Sequence, residues 1–91
     1  MISVLVVDDD DVLREVLHDG LEDGGFDVIS CDGGVEAKDI LNTRSFDILL
    51  TDLFMPSGGG SELISWSQKE KPAMKVMAMS GKDRSDMHLA L

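Results

Sequence analysis

Short apolar runs alternate along the chain with stretches of helical spacing. Ile2 to Val7 is almost wholly apolar and β-branched, as expected of a strand covered on both faces. From about Asp10 to Asp23, Leu13, Val16, Leu17 and Leu21 recur at helical spacing and form the inward stripe of a helix. Asp9 or Asp10 is placed to cap that helix, and Gly24-Gly25 to end it. Phe26 to Cys31 predicts a second strand. Val35 to about Thr43 predicts a second helix, with Ala37, Ile40 and Leu41 inward. Asp47 to Thr51 predicts a third strand. A turn-rich loop, Pro56 to Gly60, leads into a helix near Ser61 to Lys69 carrying Leu63, Ile64 and Trp66, which Pro72 stops. Lys75 to Met79 predicts a fourth strand. Asp83 to Leu91 predicts the start of a fourth helix, with Met87 and Leu91 on one face.

Strands alternating with helices imply an α/β fold of βαβ units, with parallel strands joined by right-handed crossovers. In such sheets a ligand site lies outside the carboxyl ends of the strands, where the strand order reverses. Asp8, Asp9, Asp52 and Ser80 all fall at those predicted ends. Two covered strands that both run out into carboxylates set acid beside acid. A pair about 5 Å apart repels by roughly 3 kcal/mol at an effective dielectric near 20. A proton shared in a coupled titration relieves this, and so does a cation. Mg2+ prefers oxygen ligands and keeps several waters, which suits a few carboxylates and a carbonyl.

Composition narrows the partners. Against 8 basic residues stand 18 acidic ones, a net charge of −10, and no basic cluster interrupts the acidic character. Such a chain repels nucleic acid and anionic membranes. Cys31 has no second cysteine to pair with and reads as a small apolar residue at a strand end. No apolar run approaches the ~20 residues of a membrane span, and the start lacks the features of a signal peptide, so a cytoplasmic setting is expected. Ninety-one residues suit one small domain covering residues 1–91. His18 and His88 read as surface residues without a matched partner, and Trp66 as packing.

Val6-Val7-Asp8-Asp9, Gly25-Phe26-Asp27-Val28, Asp52, Met55-Pro56 and Met79-Ser80-Gly81, in that order and at those separations, resemble the receiver domain of bacterial two-component response regulators. The resemblance implies a flavodoxin-like, doubly wound parallel sheet of strand order 2-1-3-4-5. It implies that Asp52 is the phosphoacceptor for a sensor histidine kinase, in a Mg2+-dependent reaction that alters protein–protein contacts. Asp8, Asp9, Asp52 and the backbone carbonyl of Phe54 would hold the metal. Ser80 would contact the phosphoryl group, and Met55, Pro56 and Gly81 would shape the surrounding loops.

The chain departs from that pattern in two places. It reads as truncated to about four βα units, an incomplete receiver without the fifth strand and fifth helix. No residue matches the lysine that contacts the phosphoryl group, and Lys82 follows Ser80 too closely to replace it. Strand four is then expected to be an open edge, favouring a homo-oligomer paired through it, and the first helix to show apolar surface to water. The second departure is Ser57-Gly58-Gly59-Gly60, expected to be loose, with the following helix starting late.

The leading expectation is therefore a phosphoacceptor signalling domain, not an enzyme, whose downstream partner is a protein. The alternative is a binding or assembly module that keeps the receiver sheet without functional phosphorylation. A phosphatase-type hydrolase with an aspartyl intermediate would need motifs beyond the accidental spacing within Asp8-Asp9-Asp10, and they do not follow.

Overall fold

A computed structural model describes residues 1–55 and 59–79 and the backbone of residues 89–90. Four parallel strands, β1 (Ser3–Val7), β2 (Asp27–Cys31), β3 (Ile48–Asp52) and β4 (Lys75–Met79), make one sheet with β5 (Leu89–Ala90) in the order β2-β1-β3-β4-β5. The intervening helices are α1 (Asp11–Asp23), α2 (Gly34–Thr43) and α3 (Gly60–Glu70). This is the flavodoxin-like, doubly wound arrangement. The order reverses between β1 and β3, so the crevice at their carboxyl ends is the topological switch point.

The apolar strands are covered on both faces, and their period of two divides the core. Leu5 and Val7 of β1 join Leu49 and Val76 against Ala37 and Leu41 of α2 and Leu63 of α3. Val4 and Val6 point the other way and join Val28, Leu50 and Met79, against Leu17 and Leu21 of α1. Trp66 packs against the first cluster, as expected, and Cys31 is buried at the end of β2.

Register is pinned at the amino ends of the two central strands. Asp47 accepts hydrogen bonds from Ser3 N (2.8 Å) and Ser3 Oγ (3.2 Å), while Asp47 N donates to Ser3 O at 3.1 Å. Those bonds hold the exposed Asp47 carboxyl below the usual carboxylate range. From there Val4 pairs with Ile48 and Val7 with Thr51, which brings the next residues, Asp8 and Asp52, side by side.

Several expectations are corrected. Val16 does not face inward: it is 61% exposed, like Val12 at 73%, because the stripe that meets the sheet is the one through Leu17 and Leu21. His18 is not without partners, since Nδ1 lies 3.0 Å from Ser30 Oγ and Nε2 3.4 Å from Glu22 Oε2. The predicted fourth helix does not extend through Leu89–Ala90. These two residues are strand, antiparallel to β4, with Met79 opposite Leu89 and Ala78 opposite Ala90. The edge of β4 is thus taken by the chain itself at Ala78 and Met79, so the self-association expected through that edge retains only Lys75 to Met77. Residues 83–88, Lys82 and Leu91 lie outside the described residues.

The helix after the glycine-rich loop does not start late. It begins at Gly60, where Gly59 takes φ +96° and its carbonyl accepts from Leu63 N at 2.7 Å. A left-handed residue at this position is one that glycine adopts without strain. Gly60 sits against the carbonyls of Leu53 and Asp52, leaving no room for a Cβ.

Candidate metal centre and phosphoacceptor

Asp8, Asp9 and Asp52 converge. Each offers a carboxylate oxygen, and these oxygens lie within 4.8 Å of one another. β1 delivers the first two and β3 the third. Asp8 N is tied to Cys31 O of β2 at 3.2 Å, and Leu53 N to Met79 O of β4 at 2.9 Å, so neighbouring strands anchor both sides of the cluster.

The three acids are not equivalent. Asp8 is fully buried. Its Oδ1 accepts from Asp10 N at 2.9 Å, but its Oδ2 has no hydrogen-bond partner among the described residues. Burial pushes the Asp8 carboxyl above the usual carboxylate value. The Asp10 N–H works against that shift, and the charges of Asp52, Asp10 and Asp9 add to it. Asp52 is half-buried, and its Oδ1 accepts from Phe54 N at 3.0 Å.

An orphaned buried carboxylate oxygen beside two more carboxylates is a donor set of hard oxygens only. It fits Mg2+, which takes oxygen ligands, and does not suit a soft metal. Phe54, whose carbonyl is the fourth ligand expected from sequence, is joined to the cluster through its N–H. An open cleft of about 820 Å³ adjoins Asp9, lined by Asp32, Glu36, Asp39, Glu62 and Lys38 among others. Lys38 stands 5.8 Å from the centre of the Trp66 ring. With acids outnumbering it, the cleft repels a free anionic donor, and a cation at the triad would weaken that barrier.

Of the loop residues expected from sequence, Met55 is buried in the core, 5% exposed, while Pro56, Ser80 and Gly81 lie outside the described residues. β4 ends at Met79, which pairs with Asp52. Sequence reasoning missed Arg14. Its Nη1 donates to the Asp8 carbonyl at 2.7 Å and its Nη2 to Asp11 Oδ1 at 2.6 Å. The one available signal was its spacing, a basic residue one turn after an acidic run at a helix start.

Residues 4–91 match the family model for the response regulator receiver domain. The chain is 35% identical over 81 residues to the response regulator receiver protein CpdR of Brucella abortus, covering 89% of this chain and 68% of that protein. It spans between 23% and 33% of three further curated relatives, which are longer proteins. Among solved structures, a response regulator receiver protein from Pseudomonas putida superposes with a TM-score of 0.82 at 34% identity, covering 92% of this chain and 71% of that one. The response regulator TrrA of Thermotoga maritima, solved in complex with Mg2+ and BeF, gives 0.81 at 30% identity, covering 94% and 76%. TrrA has also been solved in complex with the histidine kinase ThkA. Among the described residues, no helix is long and apolar enough to cross a membrane.

Proposed function

The chain belongs to the response regulator receiver domain family, and from that membership we propose that Asp52 accepts a phosphoryl group from a histidine kinase and thereby changes the contacts this domain makes with a downstream protein. The observation that carries the reading is the convergence of Asp8, Asp9 and Asp52, with an orphaned oxygen among them. The kinase–regulator complex of TrrA supports the choice of donor.

In this reading Asp52 Oδ2 attacks phosphorus while Oδ1 stays held by Phe54 N–H. A bond from Oδ2 to phosphorus forms, and the phosphorus–nitrogen bond of the phosphohistidine breaks. Its electron pair remains on the imidazole nitrogen, and the product is an acyl phosphate. Asp8, Asp9, Asp52 and the Phe54 carbonyl would hold Mg2+. When bound, the ion supplies the positive charge that lets a phosphoryl group approach three acids. Asp8 and Asp9 keep the cluster in place, and the burial of Asp8 keeps water from its inner side. The chain acts here as an acceptor and not as a turnover enzyme, in a cytoplasmic setting where such kinases present their phosphohistidine.

The test is incubation with acetyl phosphate and MgCl2, followed by intact mass and peptide mapping. An added phosphoryl mass on the peptide containing Asp52 is expected, and EDTA should abolish it. A chain that binds Mg2+ yet never gains that mass would favour the non-switching module. Mass on a serine or histidine instead would refute the assignment of Asp52.

A further inference from the structure

The turn between β1 and α1 carries two of the three acids, and one side chain stitches it together. The Arg14 side chain donates from Nη1 to Asp8 O at 2.7 Å and from Nη2 to Asp11 Oδ1 at 2.6 Å, while its backbone N–H makes the ordinary first-turn bond to Asp10 O at 2.9 Å. The Arg14 side chain is 21% exposed, against 84% for Asp11, so the pair joins a mostly covered guanidinium to an exposed carboxylate. Inside the same turn, Asp10 N donates to Asp8 Oδ1 and Asp10 Oδ1 accepts from Leu13 N at 3.1 Å. The planar fork of an arginine spans a backbone carbonyl and a carboxylate at once. An ammonium places its donors on a single nitrogen and does not reproduce that reach.

Resting on the reading above, we propose that Arg14 is a positioning residue for the acid cluster: by holding the Asp8 carbonyl it aims the Asp8 and Asp9 side chains at Asp52 and raises the affinity of the site for a divalent cation. Its guanidinium bonds the backbone carbonyl of Asp8 and the carboxylate of Asp11, not the side-chain oxygens of the triad. It acts on the ligands through the turn. Groups that orient metal ligands from behind typically change affinity about 10–100-fold when removed.

Charge alone predicts the opposite sign. A cation beside a divalent site repels the ion, so removing it should tighten binding if electrostatics were its whole role. The experiment follows backbone amide shifts of Asp9, Leu53 and Phe54 in the full chain during titration with MgCl2. Arg14→Met keeps an apolar stem and loses the donors. Arg14→Lys keeps the charge and loses the fork. Both should bind Mg2+ about 10-fold more weakly than wild type. Arg44→Met, which removes a pair with Asp27 on another face, should bind like wild type. A residue that merely stabilised the fold would lower the urea midpoint in EDTA and leave the Mg2+ dissociation constant of the folded protein unchanged. If Arg14→Met does not fold, Arg14→Lys decides. Equal or tighter Mg2+ binding in the folded variants overturns the positioning role alone. A wild-type chain with no Mg2+ response would overturn the phosphoacceptor reading, and this proposal with it.

Discussion

Replacing Asp8 with asparagine is expected to stabilise the metal-free protein and to remove its response to Mg2+. Asp8 is fully buried, with Oδ1 satisfied by Asp10 N–H and Oδ2 lacking a partner among the described residues. Asparagine keeps the acceptor at Oδ1. At the Oδ2 position it places an NH2 group, which can donate to the carboxylates of Asp9 and Asp52. A contact between like charges becomes a hydrogen bond, and a buried unsatisfied charge disappears. The gain should be about 1–3 kcal/mol, the usual penalty for leaving such a group unpaired.

The pH dependence follows the same cause. Burial raises the Asp8 carboxyl in the folded protein above its unfolded value. Between those two values the folded state binds more protons than the unfolded state, so stability falls as pH rises through that window and stays reduced at neutral pH. Asp47 works in the opposite sense: its carboxyl is lowered, so its contribution is present above the unfolded value and lost as pH falls through the folded one. Asp8→Asn should flatten the first slope and leave the second. Mg2+ works against that ranking. A cation at 100 times its dissociation constant stabilises the folded state by about 2.7 kcal/mol. Wild type should gain this and the variant should not, so the variant's advantage in EDTA shrinks by that amount in MgCl2 at about 100 times the dissociation constant. Urea titrations followed by Trp66 fluorescence measure both effects. Equal midpoints in EDTA would show that Asp8 is not strained, and equal Mg2+ stabilisation would show that it is not a ligand.

Much of this site was legible before any coordinates. Asp8 and Asp52 each end an apolar run, and Ser3 and Asp47 begin those runs with equal numbers of residues between, so pairing the starts pairs the ends. What patterns could not decide were choices between equivalent local options. In α1, Val12 and Val16 make a second apolar stripe beside Leu13, Leu17 and Leu21, and only docking on the sheet selects Leu17 and Leu21 over the valines. Leu89–Ala90 satisfy a helical pattern as well as a strand, and the unpaired groups at Ala78 and Met79 favour the strand. Arg14 escaped because its decisive contact is with the backbone carbonyl of Asp8, which no side-chain periodicity records. Gly60 was read as looseness when its lack of a side chain is what lets the start of α3 approach the Asp52 and Leu53 carbonyls closely.

That approach sets the second large effect. An alanine at position 60 is expected to destabilise the protein by about 3 kcal/mol, at the upper end for overpacking. Its Cβ would stand 2.4 Å from Leu53 O, 2.5 Å from Asp52 O and 2.8 Å from Leu53 C. All three are backbone atoms, so no flexible side chain can swing away. Either α3 lifts off the sheet, uncovering Leu63, or the Asp52–Leu53 backbone yields and carries the Asp52 carboxylate with it. A chain of this length has a total stability of roughly 5–14 kcal/mol, so the loss is a large share of it. For a domain this small it should lower Tm by about 12–24 °C. Gly20→Ala supplies the opposite sign, since a Cβ there meets nothing within 4 Å and the residue lies inside α1. That change should stabilise by about 0.5–1 kcal/mol. Thermal unfolding of the two variants together separates steric conflict from any general effect of losing a glycine. A Gly60→Ala protein that melts with wild type would place α3 farther from Asp52 than the structure does.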